Sequence, residues 1–177
     1  MIAITTAFLD NYNRPKRKLK ELKGIIIHWT ANTSRGANAI RNRNYFNTKP
    51  FIKDQNGNKV YASAHYVVDD HSIVQCLPDD EEGFHVGAKW ASYKPLALSI
   101  MNNAAPDTDS PNKYLIGIEM CVNSDGDFEK TKINTIELTR SLMATHNLSI
   151  AQVHRHFDIT GKQCPMMYIE ESKWAAF

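Results

Sequence analysis

Gly24-Ile25-Ile26-Ile27-His28-Trp29 is the stretch on which the fold turns. A nearly unbroken apolar run of this length is what a strand covered on both faces requires, and such strands belong to sheets sandwiched between helices. Working outward, Leu115 to Val122 reads as a second interior strand. Ile116, Ile118 and Met120 share one of its faces, and Gly117, Glu119 and Cys121 share the other. Ser63 to Val68 and Ser72 to Leu77 flank Asp69-Asp70-His71 as a hairpin with a polar turn. Asp125-Gly126 ends the Leu115 strand, and Asp127 is placed to cap a helix running to about Asn147. On that helix Ile133, Ile136, Leu142 and Met143 form a loose apolar stripe. Shorter helices are expected around Ala37 to Phe46 and Ile169 to Ala176. Strands interleaved with helices make this an α/β fold.

The chain has 177 residues, 42% of them hydrophobic and 23% charged, which suits one globular domain with one substantial core. No apolar run nears the roughly 20 residues needed to span a bilayer, and Ile25 to Ile27 is cut short by His28. The basic cluster of Arg14, Lys16, Arg17, Lys18 and Lys20 follows the mildly apolar start instead of preceding it, so no export signal is read. That run is expected to be a solvated lead-in to the first strand. A net charge of +2 gives no reason to invoke nucleic acid. Cys76, Cys121 and Cys164 are too few and too scattered for a disulfide framework. Asn102 to Asn112, rich in Pro, Asp and Asn, reads as an exposed internal loop.

Chemistry concentrates in His154-Arg155-His156-Phe157-Asp158-Ile159-Thr160-Gly161-Lys162-Gln163-Cys164-Pro165. Imidazole and thiolate are both zinc donors, and Gly161 and Pro165 allow a loop to turn His156 and Cys164 toward one point. The alternative is a surface loop with a half-buried cysteine. His28, at the end of an interior strand, is the candidate third ligand, against the plainer reading of a core histidine bonded to backbone. Three protein ligands leave a coordination position open, the arrangement of a catalytic site. Glu119 stands in an otherwise apolar strand, where a carboxylate is costly unless it binds something or moves protons, or unless it faces solvent. Lys162 is the nearest cation in sequence to Cys164.

Ile25-Ile26-Ile27-His28-Trp29-Thr30-Ala31, Ser63-Ala64-His65-Tyr66, Gly83-Phe84-His85-Val86-Gly87, Ile116-Gly117-Ile118-Glu119 and Arg155 to Pro165 occur in this order. Together they resemble the type 2 zinc N-acetylmuramoyl-L-alanine amidases, most nearly the catalytic domains of phage endolysins and autolysins of Bacillus-like hosts. The resemblance covers about residues 23–177. It implies a mixed central β-sheet flanked by helices, with a cleft centred on one zinc ion held by His28, His156 and Cys164. His154 competes with His156, but the family pattern puts the ligand directly after Arg155. Glu119 would be the catalytic carboxylate, Lys162 the cation that supports the oxyanion, and His85 a wall of the substrate groove. His65 is expected to be structural, and Trp29 and Trp90 to pack in the core in preference to stacking on sugars.

By the same resemblance the partner is bacterial peptidoglycan, cut between N-acetylmuramic acid and L-alanine for lysis or wall turnover. A monomer is expected, made in the bacterial cytoplasm and acting on the wall after release. Residues 1–22 would be a lead-in and residues 23–177 one catalytic domain, with no wall-binding domain in view. Two positions depart from the pattern. Ala64 stands where certain members carry a catalytic tyrosine, which leaves the proton work to Glu119; Met166-Met167 follows Cys164-Pro165 where relatives often have Gly or Asn-Pro. Three rivals remain on this reading: a wall-recognition module without catalysis, a hydrolase using Cys164 as nucleophile, and a purely structural zinc site.

Overall fold

The computed structural model describes residues 2–48, 52, 53, 57 and 59–177. Its centre is a six-stranded sheet built on β2 (Gly24–Trp29) and β7 (Leu115–Met120), which pair in parallel with His28 beside Glu119. β8 (Val153–Arg155) runs parallel to β2 on the far side. On the near side β5 (Tyr66–Val68) joins β7 in parallel, and β6 (Ile73–Gln75) returns antiparallel to β5 through the polar turn at residues 69–71. β1 (Ile4–Thr6) closes that edge, parallel to β6. The strand order is β1-β6-β5-β7-β2-β8, a mixed sheet with one antiparallel pairing. β3 (Ile52–Lys53) and β4 (Lys59–Val60) form a separate small ribbon.

The triple isoleucine is buried on both sides, as its composition demanded. Ile25 and Ile27 join Ile116, Ile118 and Met120 under α3 (Phe128–His146), where Leu138 and Leu142 meet them. Ile26 points the other way, into a cluster with Val86, Leu115, Ile159 and the Ala97 and Ile100 side chains of α2 (Pro95–Ile100). α1 (Ala39–Thr48), α4 (His156–Thr160) and α5 (Glu171–Ala175) complete the helices.

α3 begins at Asp127, whose side chain accepts from the Lys130 N–H, and ends on Asn147 in the left-handed conformation. Its inward face holds part of the apolar stripe expected, with Leu142 in the core and Met143 packed against it, but not all of it. Ile133 is 52% exposed, while Thr131, Asn134, Thr135, Leu138, Thr139 and Leu142 are buried. The threonines are tolerated because each hydroxyl donates to the carbonyl one turn back: Thr135 to Thr131 and Thr139 to Thr135, both at 2.8 Å. Asn134 Nδ2 donates to the Asp69 carbonyl at 2.9 Å, which ties the helix to the β5–β6 hairpin.

The basic run is solvated as expected at Lys16, Arg17, Lys18 and Lys20, but it is tethered and not loose. Leu9 is fully buried, and β1 supplies an edge strand. Arg14 forks onto Glu81 at 2.7 and 2.9 Å, Arg17 donates to Glu82 at 2.8 Å, and Lys20 donates to Asp109 at 2.8 Å. These residues strap the body of the protein because the acids they meet lie on loops that the sequence keeps far away. The expected loop at 102–112 is exposed over most of its length, but its end is anchored. Asn112 is buried and its Oδ1 accepts from the backbone N–H groups of His85 and Val86 at 3.1 and 2.9 Å.

Candidate metal centre

His28, the last residue but one of β2, lies on the face opposite α3, and β7 places Glu119 next to it on the same face. The third and fourth groups arrive from the turn after β8. There the Arg155 backbone N–H donates to Asp158 Oδ2 at 2.8 Å, starting α4 with His156 as its first residue. Gly161 stops the helix with φ of 76°, a left-handed conformation that suits glycine. The chain then doubles back, and the Phe157 N–H donates to the Cys164 carbonyl at 3.0 Å. An eight-position separation in sequence thus becomes one point in space.

His28 Nδ1 lies 3.2 Å from His156 Nδ1 and 3.6 Å from Cys164 Sγ, and the three donor atoms all lie within 4.8 Å of one another. All three residues are buried. Metal bonds of about 2.0–2.1 Å to nitrogen and about 2.3 Å to sulfur give a tetrahedral ion N···N edges of about 3.3 Å and N···S edges of about 3.6 Å. The two contacts to His28 match those edges. A single hydrogen bond would use the one in-plane lone pair of His28 Nδ1, yet both an imidazole and a sulfur converge on it; a cation at the convergence serves all three donors. These residues fit a metal of zinc's size and preferences. His154, the rival for His156, sits in β8 paired with Ile26 and is not part of the cluster.

The electrostatics agree. Burial, reinforced by His156 and His85, holds His28 well below the usual imidazole range, and burial with Lys162 brings His156 down to about 4. Both rings are therefore neutral, the ligand form. Burial and then Glu119 push the Cys164 thiol up to about 12, against the Trp29 backbone N–H and Lys162. A nucleophilic cysteine needs the reverse, a thiol lowered by its neighbours, and a zinc ligand needs a cation close enough to draw the proton off.

Glu119 completes the centre. Its Oε2 is sealed from solvent and has no hydrogen-bond partner among the described residues. Burial lifts the carboxyl to about 8, and Lys162 pulls in the other direction. Two clefts meet at this residue. One, of about 520 Å³, is lined by Thr30, Asn32, Arg35, Arg41 and Tyr45; the other, of about 750 Å³, by Tyr61, Phe84, Tyr93, His156 and Lys162. An unpaired carboxylate at the junction of two open clefts is positioned for something that enters them.

The N-acetylmuramoyl-L-alanine amidase family pattern, Amidase_2, matches residues 18–166. The chain belongs to that family. It is 37% identical over 175 residues to a probable N-acetylmuramoyl-L-alanine amidase of Bacillus licheniformis, covering 97% of this chain and 45% of that protein. Among solved structures, the catalytic domain of XlyA superposes with a TM-score of 0.76 at 33% identity, covering 99% of this chain and 96% of that one. A mutant endolysin from Bacillus subtilis gives a TM-score of 0.78 at 34% identity, with the same coverage of both chains. The chain spans about half the length of the curated relatives it matches.

His85 borders the larger cleft, but its ring nitrogens face inward. Nδ1 is 3.1 Å from His28 Nε2, and Nε2 is 3.1 Å from the Leu115 carbonyl. Burial, with His65 nearby, keeps the ring well below the usual imidazole range and hence neutral. His65 is structural, as expected: its ring spans the Glu81 carbonyl at 2.7 Å and the Gly117 N–H at 3.0 Å. Trp90 packs against the α2 cluster, also as expected. Sequence reasoning missed Gly117, which lies against His85 so closely that a Cβ would come within 2.7 Å of the ring. A glycine in the middle of an interior strand was the available signal.

Proposed function

We propose that this chain is a zinc-dependent amidase that hydrolyses the bond between the lactyl group of N-acetylmuramic acid and the L-alanine of the peptidoglycan stem, in the service of wall lysis. The observation that carries this reading is the convergence of His28 Nδ1, His156 Nδ1 and Cys164 Sγ beside the unpartnered Oε2 of Glu119. Family membership and the likeness to an endolysin support the choice of bond and substrate. No helix among the described residues is long and apolar enough to cross a membrane, and all four central groups come from one chain, so the centre needs no second copy.

His28, His156 and Cys164 would hold the ion. When bound there, zinc supplies Lewis acidity, polarising the scissile carbonyl and making water nucleophilic near neutral pH. Glu119 takes the proton of the attacking water on Oε2 and returns it to the departing alanine nitrogen, work typically worth about 10²–10⁴-fold in rate. Burial alone would keep this carboxyl protonated, so the positive charge of Lys162 and of the bound ion is what favours the ionised form that accepts the proton. Lys162, exposed on the loop beside His156, supplies positive charge where the carbonyl oxygen becomes anionic. Burial of the donor atoms keeps bulk water from competing for the ion.

The test is digestion of purified peptidoglycan with mass analysis of the products. Free stem peptides beginning with L-alanine, lost on chelation and restored by zinc, are the expected result. New reducing sugar ends would instead mean a glycosidase. Activity that survives chelation but not thiol alkylation would mean a cysteine hydrolase.

A further inference from the structure

We infer that His85 is a positioning residue that fixes the tautomer of His28, so that His28 presents a bare Nδ1 to the metal. This rests on the proposed function for the identity of the ligand and goes beyond it in assigning what prepares that ligand. The direction of each hydrogen bond follows from chemistry. The Leu115 carbonyl can only accept, so the His85 nitrogen facing it at 3.1 Å, Nε2, carries the ring's single hydrogen. His85 Nδ1 is then an acceptor, and the His28 nitrogen 3.1 Å from it, Nε2, must donate. A neutral His28 that is protonated on Nε2 has its lone pair on Nδ1, the atom that faces His156 and Cys164.

The backbone holds His85 in this role from three sides. Asn112 Oδ1 accepts from the His85 main-chain N–H at 3.1 Å, the His65 ring packs edge-on at 5.6 Å, and Gly117 leaves open the space its ring fills. A β-carbon at position 117 would lie 2.7 Å from His85 Cγ and Nδ1. The glycine beside Glu119 therefore serves the ligand set and not the strand. Outer partners of this kind are worth roughly 10–100-fold in metal affinity.

The decisive measurement is the long-range nitrogen–proton spectrum of the histidine rings in the zinc-free whole chain. His28 and His85 both protonated on Nε2 is the expected result; a hydrogen on Nδ1 of either ring overturns the inference. Zinc dissociation constants, taken by competition with a chromophoric chelator, provide the second arm. His85→Leu should weaken binding about 10–100-fold, and Gly117→Ala, which crowds the same ring, should weaken it in the same direction. His85→Gln, whose carboxamide can accept from His28 and donate to Leu115, should recover to within about tenfold of the parent. A folded His85→Leu protein with unchanged zinc affinity overturns the inference, and if that variant fails to fold the ring spectrum of the parent decides alone. Failure of the parent to bind zinc would instead refute the proposed function, while leaving the tautomers of His28 and His85 to be read directly.

Discussion

Glu81 and Glu119 are the same residue type, both poorly exposed, and they titrate in opposite directions. Glu81 accepts a two-pronged bond from Arg14, and that bond, working against partial burial, holds its carboxyl below the usual range. At Asp109, burial raises the carboxyl but is more than compensated by hydrogen bonds from Lys20, Tyr114 and Lys113. Glu119 has no such partner on Oε2 and is driven up to about 8. The strap region is therefore built from satisfied charges, which hold a fold together. The centre keeps one carboxylate unsatisfied, which destabilises the protein alone and is useful only when something else arrives.

The harshest way to break this contrast is to remove the ion that would answer Glu119. His156→Ala should lose zinc stoichiometry, measured by mass spectrometry of the metal, and wall-digesting activity should fall to background. Retained zinc would remove His156 from the ligand set. Next in size, Glu119→Gln should keep zinc and keep binding wall fragments while turnover drops about 10²–10⁴-fold. Release of soluble stem peptide is the readout, and near-parental turnover would remove Glu119 from the proton path.

Much of this was legible beforehand, for a physical reason. Burial on both faces of β2 follows from Ile25 to Ile27, because nothing but a double-covered strand makes such a run favourable. His28, His156 and Cys164 stood out as candidates because two imidazoles and a thiol are donors that zinc prefers. What could not be read was whatever depends on partners distant in sequence. Arg14 looks like any surface arginine until Glu81, 67 positions away in sequence, is brought to it. The inward threonines of α3 look polar until their hydroxyls are seen to be spent within the helix. His85 was placed in the groove wall by resemblance, and only the Leu115 carbonyl reveals that its nitrogens are turned inward.

A gentler probe of the same contrast uses stability in place of catalysis. A carboxyl raised from 4.5 to about 8 on folding binds its proton more tightly in the native state, so the zinc-free protein loses stability as pH climbs through that window. Glu119→Gln removes the loss. The variant should match the parent near pH 4 and gain progressively above it, by a few kcal/mol at pH 8 and beyond, at about 1.4 kcal/mol per pH unit. Denaturant unfolding with chelator present measures the gap, and a gap that does not widen with pH would mean that Glu119 finds a partner in solution.

Arg14→Ala should do the opposite at the other end of the scale. Glu81 has a lowered folded pKa, so its bond to Arg14 contributes fully above the ordinary carboxylate range and is lost as pH falls through it. Near pH 7 the substitution leaves a 9%-exposed carboxylate without its charged donor, at about 1–3 kcal/mol, or roughly 2–10 °C in Tm for a chain of this size. In acid the gap should shrink as pH falls below the ordinary carboxylate range, and it closes once the lowered Glu81 carboxyl of the parent is itself protonated. Zinc affinity should not move, since Arg14 lies in the strap and its contacts run to Phe8, Leu9, Asn11 and Glu81. One pair that converges in acid and another that converges there and then separates with the sign reversed would distinguish a charge kept for the fold from a charge kept for a ligand. If Arg14→Ala weakened zinc binding as well, the two regions would be mechanically coupled through the loop that carries Glu81 and bonds His65, and the separation drawn between them would fail.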